Sequence, residues 1–261
     1  MKRVGIVGYG HVGQGMDRLF TQAFSVGLYD PAYGEYADRA NVMGADLAVI
    51  CVPTPQGPDG AADVSLVEEA VAYLDVPLIL IKSTVPPGTT NRLAKEYGKA
   101  VHFSPEYMGE PVNFVPAWKY PDPRQPLTHD WVIVGGSQAS DVLDFFLAVM
   151  SVDTRYVACT ALEAELAKYM ENAYFATKVS FCNEFARIAD AFGVDYKRLR
   201  ELWLLDPRME ADHTAVFKDK PGFGGKCLPK DLSAIIAAAE AVGVEPEVLK
   251  AVRSANDRIR S

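Results

Sequence analysis

Four cysteines, Cys51, Cys159, Cys182 and Cys227, are spread over 261 residues, and no two form a C-x-x-C pair. That spacing speaks against a structural zinc site or a disulfide framework and for a reduced, cytosolic-type protein. No apolar run reaches the ~20 residues that a membrane span needs. No signal-peptide layout precedes Val4-Gly5-Ile6-Val7, which reads as leaderless. Internal repeats and low-complexity stretches are absent. Positive charge is also short: the net charge of −8 argues against nucleic acid and anionic membrane surfaces as partners. An anionic substrate would therefore need a local cationic site. What is present, 49% hydrophobic and 23% charged residues, is ordinary for a soluble globular protein of one large or two smaller domains.

The first segment, Lys2 to Val7, reads as a buried parallel strand. It runs into Gly8-Tyr9-Gly10-His11-Val12-Gly13 and then a helical run to about Phe24. This is G-x-G-x-x-G between a strand and a helix. Gly8, Gly10 and Gly13 permit a tight turn, close pyrophosphate approach and close helix packing. The helix start offers free N–H donors to phosphate, with His11 and Val12 in the same loop. A second strand, Ser25 to Tyr29, ends in Asp30, where a ribose-binding acid belongs. An acid there favours NAD over NADP, whose 2′-phosphate would meet a like charge. Taken by itself, His11 reads as a plain exposed side chain within that loop.

Further strands follow at Asp46 to Val52, Leu78 to Lys82 and Val101 to Ser104, with Trp131 to Gly135 as the last. Their ends carry Thr54, Thr84 and Glu106 where a parallel sheet opens its ligand crevice. Glu106 and Glu110 would share a face if a helical turn starts there; without further context they read as two solvated acids. The Pro- and Trp-rich stretch 113–130 is either a lid or a packed surface loop. The expected fold is α/β: an N-terminal Rossmann-type parallel sheet with helices on both faces, residues 1–155, then an all-α domain, residues 156–261.

That second part opens on a capping box, Thr160-Ala161-Leu162-Glu163, and a helix of about thirty residues stopping at Gly193, roughly 45–50 Å long. Leu162, Leu166, Tyr169, Met170 and Ala173 recur on it at helical spacing. Lys168 and Asn172 share a face, which by itself reads as a solvated stripe. Near the end stands Gly222-Phe223-Gly224-Gly225-Lys226-Cys227-Leu228-Pro229-Lys230-Asp231. Pro229 suits a helix opening, so Cys227 falls at or just before a helix N-terminus beside two lysines. Both neighbours favour the nucleophilic thiolate. Taken alone, a cysteine is more often a buried inert thiol.

Five motifs together resemble the UDP-glucose/GDP-mannose dehydrogenase family. They are the glycine loop, Val52-Pro53-Thr54-Pro55, Ser83-Thr84-Val85-Pro86-Pro87-Gly88, Pro105-Glu106 with Glu110, and the cysteine stretch, joined by Glu165-Leu166-Ala167-Lys168 with Asn172. The resemblance implies a two-step, four-electron oxidation of a nucleotide sugar, UDP-glucose foremost, from CH2OH to carboxylate with two NAD. It implies Cys227 as covalent nucleophile, and Lys168, Asn172, Asp231, Glu106 and Thr84 as further catalytic residues. Thr54, Thr84, Glu110 and Lys230 would lie at the cofactor, and Arg208, Lys218, Phe223 and Gly224 at the substrate with Glu106, Glu110, Lys168 and Asn172. Three departures stand out. The excursion between Asp30 and Val49 is short, as if the sheet had lost a unit. The spacer from Arg208 to Cys227 is longer than usual. The family's second Rossmann-like domain, which holds the nucleotide, does not follow, so a minimal enzyme, a fragment and a component needing a partner all fit. A homodimer through the long helix follows from its length and from family habit. Two rivals remain: a two-electron hydroxyacid dehydrogenase, which needs no cysteine, and a non-catalytic cofactor-binding subunit.

Overall fold

The computed structural model describes residues 2–108 and 129–261. Glu110 and residues 113–128 of the Pro- and Trp-rich stretch lie outside the described residues. The chain forms two compact units, Met1–Pro55 with Ala62–Lys168, and Gln56–Ala61 with Tyr169–Ser261.

The first unit is a seven-stranded sheet. Its strands are β1 (Arg3–Val7), β2 (Ser25–Tyr29), β3 (Leu47–Ile50), β4 (Leu78–Ile81), β5 (Val101–Phe103), β6 (Trp131–Gly135) and β7 (Arg155–Cys159), in the order β2-β1-β3-β4-β5-β6-β7. All neighbours pair in parallel except β5 and β6, which meet antiparallel at Phe103 and Gly135. The inner strands are apolar at nearly every position because both faces are covered. Side chains alternate: Val4, Ile6, Leu47, Val49 and Leu80 enter one core with Met16, Leu19, Phe145 and Phe146. Val7, Ala48, Ile50, Ile79 and Ile81 enter the other with Val67, Val71 and Leu93. The first core is thus roofed by α1 (His11–Phe20) and α4 (Ala139–Leu147), the second by α2 (Ser65–Tyr73) and α3 (Thr89–Tyr97).

Between β2 and β3 the chain makes only two 3-10 turns, Gly34–Tyr36 and Arg39–Asn41, so β2 stays at the sheet edge. A Cβ on Gly27 would stand 1.8 Å from the Asn41 carbonyl oxygen, so glycine is what lets this short connection lie against β2.

One expectation is corrected here. Trp131–Gly135 is not the last strand: β7 follows and pairs with β6 over five positions. β7 is a sheet edge with three exposed residues, and its apolar run, Tyr156 to Cys159, is only four residues long. The compact units meet along the chain at Lys168 and Tyr169. Both β7 and the first turns of α5 (Ala161–Ala191) belong with the sheet, where Ala164 joins the second core.

The second unit holds the rest of α5, then α6 (Tyr196–Trp203), α7 (Leu228–Ala241) and α8 (Glu247–Arg260). Its core gathers Ala173, Ala176, Val179, Phe223, Leu232, Ile236 and Val252. α5 begins with the expected capping box: the Glu163 N–H donates to Thr160 Oγ1 at 3.2 Å and the Thr160 N–H to Glu163 Oε2 at 2.8 Å. It ends before Gly193, at φ 71°. Of its apolar stripe, Tyr169 and Ala173 are buried but Leu162, Leu166 and Met170 are exposed, so the spacing does not mark a single core face. No helix among the described residues is long and apolar enough to cross a membrane.

Candidate functional site

In the first unit the glycine loop is dictated by contact. Gly8 takes φ 89°, and a Cβ there would meet the Cys51 carbonyl oxygen at 2.7 Å. A Cβ on Gly13 would lie 2.0 Å from the Gly8 carbonyl oxygen. Gly10, the N-cap of α1, has nothing within 4 Å of its would-be Cβ, so backbone there is open to a ligand. His11 is exposed and Val12 half-buried against the first core. Asp30 Oδ2 accepts the Tyr9 N–H at 2.7 Å and Oδ1 the Ala32 N–H at 2.9 Å. Each oxygen keeps acceptor capacity for a further hydroxyl. An open helix N-terminus, a glycine cradle and an anchored carboxylate fit the phosphates and ribose of a dinucleotide.

The ends of β3 and β4 are tied together. Thr54 is buried, and its hydroxyl donates to the Thr84 carbonyl at 2.9 Å; the Ser83 hydroxyl donates to the Val52 carbonyl at 2.6 Å. Thr84 itself is half-buried. The following turn is plugged by a residue on which sequence reasoning placed no role. Glu165, fully buried on α5, accepts the N–H of Gly88 at 2.5 Å and of Thr90 at 2.8 Å. It thus caps α3, supplying negative charge at a helix start. Burial pushes its carboxyl up against the pull of those donors.

Glu106 lies in an irregular stretch, 104–108, so no helical turn starts there. Its Oε1 accepts the Met108 N–H at 2.5 Å, and its Oε2 stands 3.6 Å from Lys82 Nζ. Lys82 is buried at the end of β4 and also donates to the Pro105 carbonyl at 2.7 Å. This pair is a second unforeseen feature; its one signal in sequence is a charge closing an apolar strand. Lys168 is buried, with Nζ 5.2 Å from the centre of the Tyr107 ring.

In the second unit Cys227 is the N-cap of α7 and is exposed. Its carbonyl accepts the Asp231 N–H at 2.8 Å. Asp231 is 2% exposed, and both its oxygens are engaged. Asn172 Nδ2 donates to Oδ2 at 2.6 Å and Lys230 Nζ to Oδ1 at 2.5 Å. Four predicted residues, Cys227, Asp231, Asn172 and Lys230, are therefore brought together. Phe223 is buried, and Asn256 of α8 clamps its backbone through both N–H (2.7 Å) and C=O (3.1 Å). Asn183 of α5 accepts the Gly222 N–H at 3.1 Å. Neither asparagine was foreseen, since a lone amide on a helix carries no spacing signal. A Cβ on Gly224 would lie 2.8 Å from Arg260 Nη1. Lys218 is exposed. Arg208 is spent locally: it is exposed and donates to both oxygens of Asp206, two residues before it.

Residues 35–112 match the NAD binding domain of the UDP-glucose/GDP-mannose dehydrogenase family, and residues 162–258 match that family's central domain. The chain is 31% identical over 256 residues to the UDP-glucose 6-dehydrogenase of Rickettsia bellii, covering 92% of this chain and 55% of that protein. It is 34% identical over 233 residues to the UDP-glucose 6-dehydrogenase of Pseudomonas aeruginosa, covering 82% and 49%. The structure of a UDP-glucose dehydrogenase from the archaeon Pyrobaculum islandicum superposes with a TM-score of 0.79 at 29% identity, over 99% of this chain and 68% of that one. The chain thus spans about half the length of these two sequence relatives. With both matched domains in family order on a mostly parallel sheet and a helical second unit, the chain belongs to the UDP-glucose/GDP-mannose dehydrogenase family.

Proposed function

We propose that the chain oxidises a nucleotide sugar, UDP-glucose foremost, at C6 from alcohol to carboxylate with NAD, through a covalent intermediate on Cys227. The observation that carries this reading is an exposed thiol at the N-cap of α7, one helical turn from a buried carboxylate held by Asn172 and Lys230. A two-electron alcohol oxidation has no use for such a thiol; a second oxidation does.

NAD, when bound, would accept one hydride, and a second NAD, bound after the first NADH has left, would accept the other. Gly8, Gly10, His11, Val12, Gly13 and Asp30 would hold its phosphates and ribose, with Thr54, Thr84, Glu110 and Lys230 nearer the nicotinamide end. Lys168, or a water held by Asp231, takes the alcohol proton as the C–H bond breaks. The Cys227 thiolate then adds to the aldehyde carbon, forming a C–S bond, and the oxygen takes up a proton. Loss of the second hydride and of that proton leaves a thioester. Water, deprotonated by Glu106, attacks the thioester carbon, the C–S bond breaks, and acid and thiol are released. Thr84, Asn172 and Lys168 stabilise the oxyanions along the way. Arg208, Lys218, Phe223 and Gly224, with Glu106 and Glu110, are assigned to the substrate.

The same reading includes a cytoplasmic homodimer formed through α5. Its exposed side carries Leu162, Leu166, Met170, Phe181 and Phe185, more apolar surface than a lone helix face usually leaves in water. A partner protein could supply nucleotide contacts.

The test is NADH counted per substrate consumed on a panel of UDP- and GDP-sugars. Two NADH and one carboxylate per sugar are expected. One NADH, with aldehyde or ketone as product, would make it a two-electron dehydrogenase. NAD binding with no turnover across the panel would make it a cofactor-binding subunit.

A further inference from the structure

We propose that Tyr9, Tyr33 and Tyr36 form the wall against which the adenine of the dinucleotide stacks, and that the shortened β2–β3 connection is built to supply it. The inference rests on the reading of the first unit as an NAD site and names residues for it outside the glycine fingerprint. Tyr9 sits between Gly8 and Gly10, and its N–H donates to Asp30. The Asp30 N–H donates to the Tyr36 carbonyl at 3.0 Å, and the Tyr33 N–H to the Asp30 carbonyl at 3.1 Å. All three residues are therefore tied through their backbones to Asp30, Tyr9 to its carboxylate and Tyr33 and Tyr36 to its main chain. They also meet each other: Tyr9 lies edge-on to Tyr36 at 5.0 Å and to Tyr33 at 5.7 Å between centroids. The Tyr9 hydroxyl donates to Asp17 at 2.8 Å. That bond and burial push the phenol up to about 12, so it stays a neutral ring at working pH.

The connection that carries Tyr33 and Tyr36 is fastened down. Arg3 donates to the Asn41 carbonyl at 2.5 Å and to the Met43 carbonyl at 3.3 Å, and Gly27 admits Asn41 against the sheet. Tyr33 nevertheless remains 40% exposed. A ribose held at Asp30 carries its base one glycosidic bond further, within reach of these rings. Aromatic faces accept any base by stacking.

Calorimetric titration of the intact chain with NAD and with ADP-ribose tests this. Tyr33→Ala and Tyr36→Ala are expected to weaken both ligands by the same factor, about tenfold, from the worth of one stacked base. Tyr36→Phe is expected to keep wild-type affinity, since it keeps the ring. Unchanged ADP-ribose affinity in both alanine variants overturns the proposal, as does a loss for NAD that ADP-ribose does not share. If Tyr36→Ala does not fold, the exposed Tyr33→Ala decides alone. A wild-type chain that binds neither ligand overturns the NAD reading itself, and this inference with it; the alanine variants separate the two failures.

Discussion

A buried carboxylate with both oxygens occupied has little freedom, and Asp231 is such a group. Held by Asn172 and Lys230, it can fix a water or a sugar hydroxyl beside Cys227 but cannot swing to replace the thiol. Cys227→Ser is therefore expected to abolish acid formation in an assay that separates acid from aldehyde; full acid output from that variant would sink the covalent mechanism. Lys82 and Glu106 make a second residue-scale case. Lys82→Met would strand the Glu106 Oε2 in a buried place, and breaking such a pair costs about 3–5 kcal/mol. Urea denaturation of the variant checks this, and Lys82→Met with Glu106→Gln together should recover much of the loss. Cys227, Asp30 and Thr54 were legible because motif spacing names them. Lys82, Glu165 and Asn256 were not, because each acts on backbone or charge brought to it from a distant part of the chain.

The strands were legible as elements wherever both faces are covered, since a continuous apolar run is then required. β7, half in water at the sheet edge, carries only a four-residue run, Tyr156 to Cys159. On α5, periodicity told which residues share a side but not which side is covered. If the exposed side forms the dimer, Phe181→Glu is expected to halve the mass in light scattering while leaving helix content unchanged. A dimeric Phe181→Glu would move the interface elsewhere. The loop before α7 offers a pH test. His213 at 3.4 Å and Lys178 of α5 at 3.1 Å hold the Asp212 carboxyl well below the usual carboxylate range. A depressed folded value stabilises above the ordinary one, near ~4, and the gain is lost as pH falls through the folded value. Wild type is thus expected to exceed Asp212→Asn by roughly 1 kcal/mol at pH 7, with the difference shrinking only below about pH 4. Denaturation at pH 3 to 7 measures it.

At the scale of the whole molecule, the proposed function asks a chain of net charge −8 to admit two anionic ligands, and the local means proposed for it are a helix N-terminus in one unit and lysines near the thiol in the other. Saturating NAD at a hundred times its Kd should add about 2.7 kcal/mol to stability. Thermal melting should then rise by several degrees with NAD and less with NADP, which Asp30 disfavours. One unbroken helix, α5, runs through the division between the compact units at Lys168. That helix has a kinetic consequence through Glu165. The Gly88 and Thr90 amides stand at the start of α3, where no intrahelical acceptor exists, and their protons are held by a carboxylate on α5, more than seventy residues away. In heavy water they should exchange with the slow amides of the first turns of α5 rather than with loop amides, and Glu165→Gln should release them selectively.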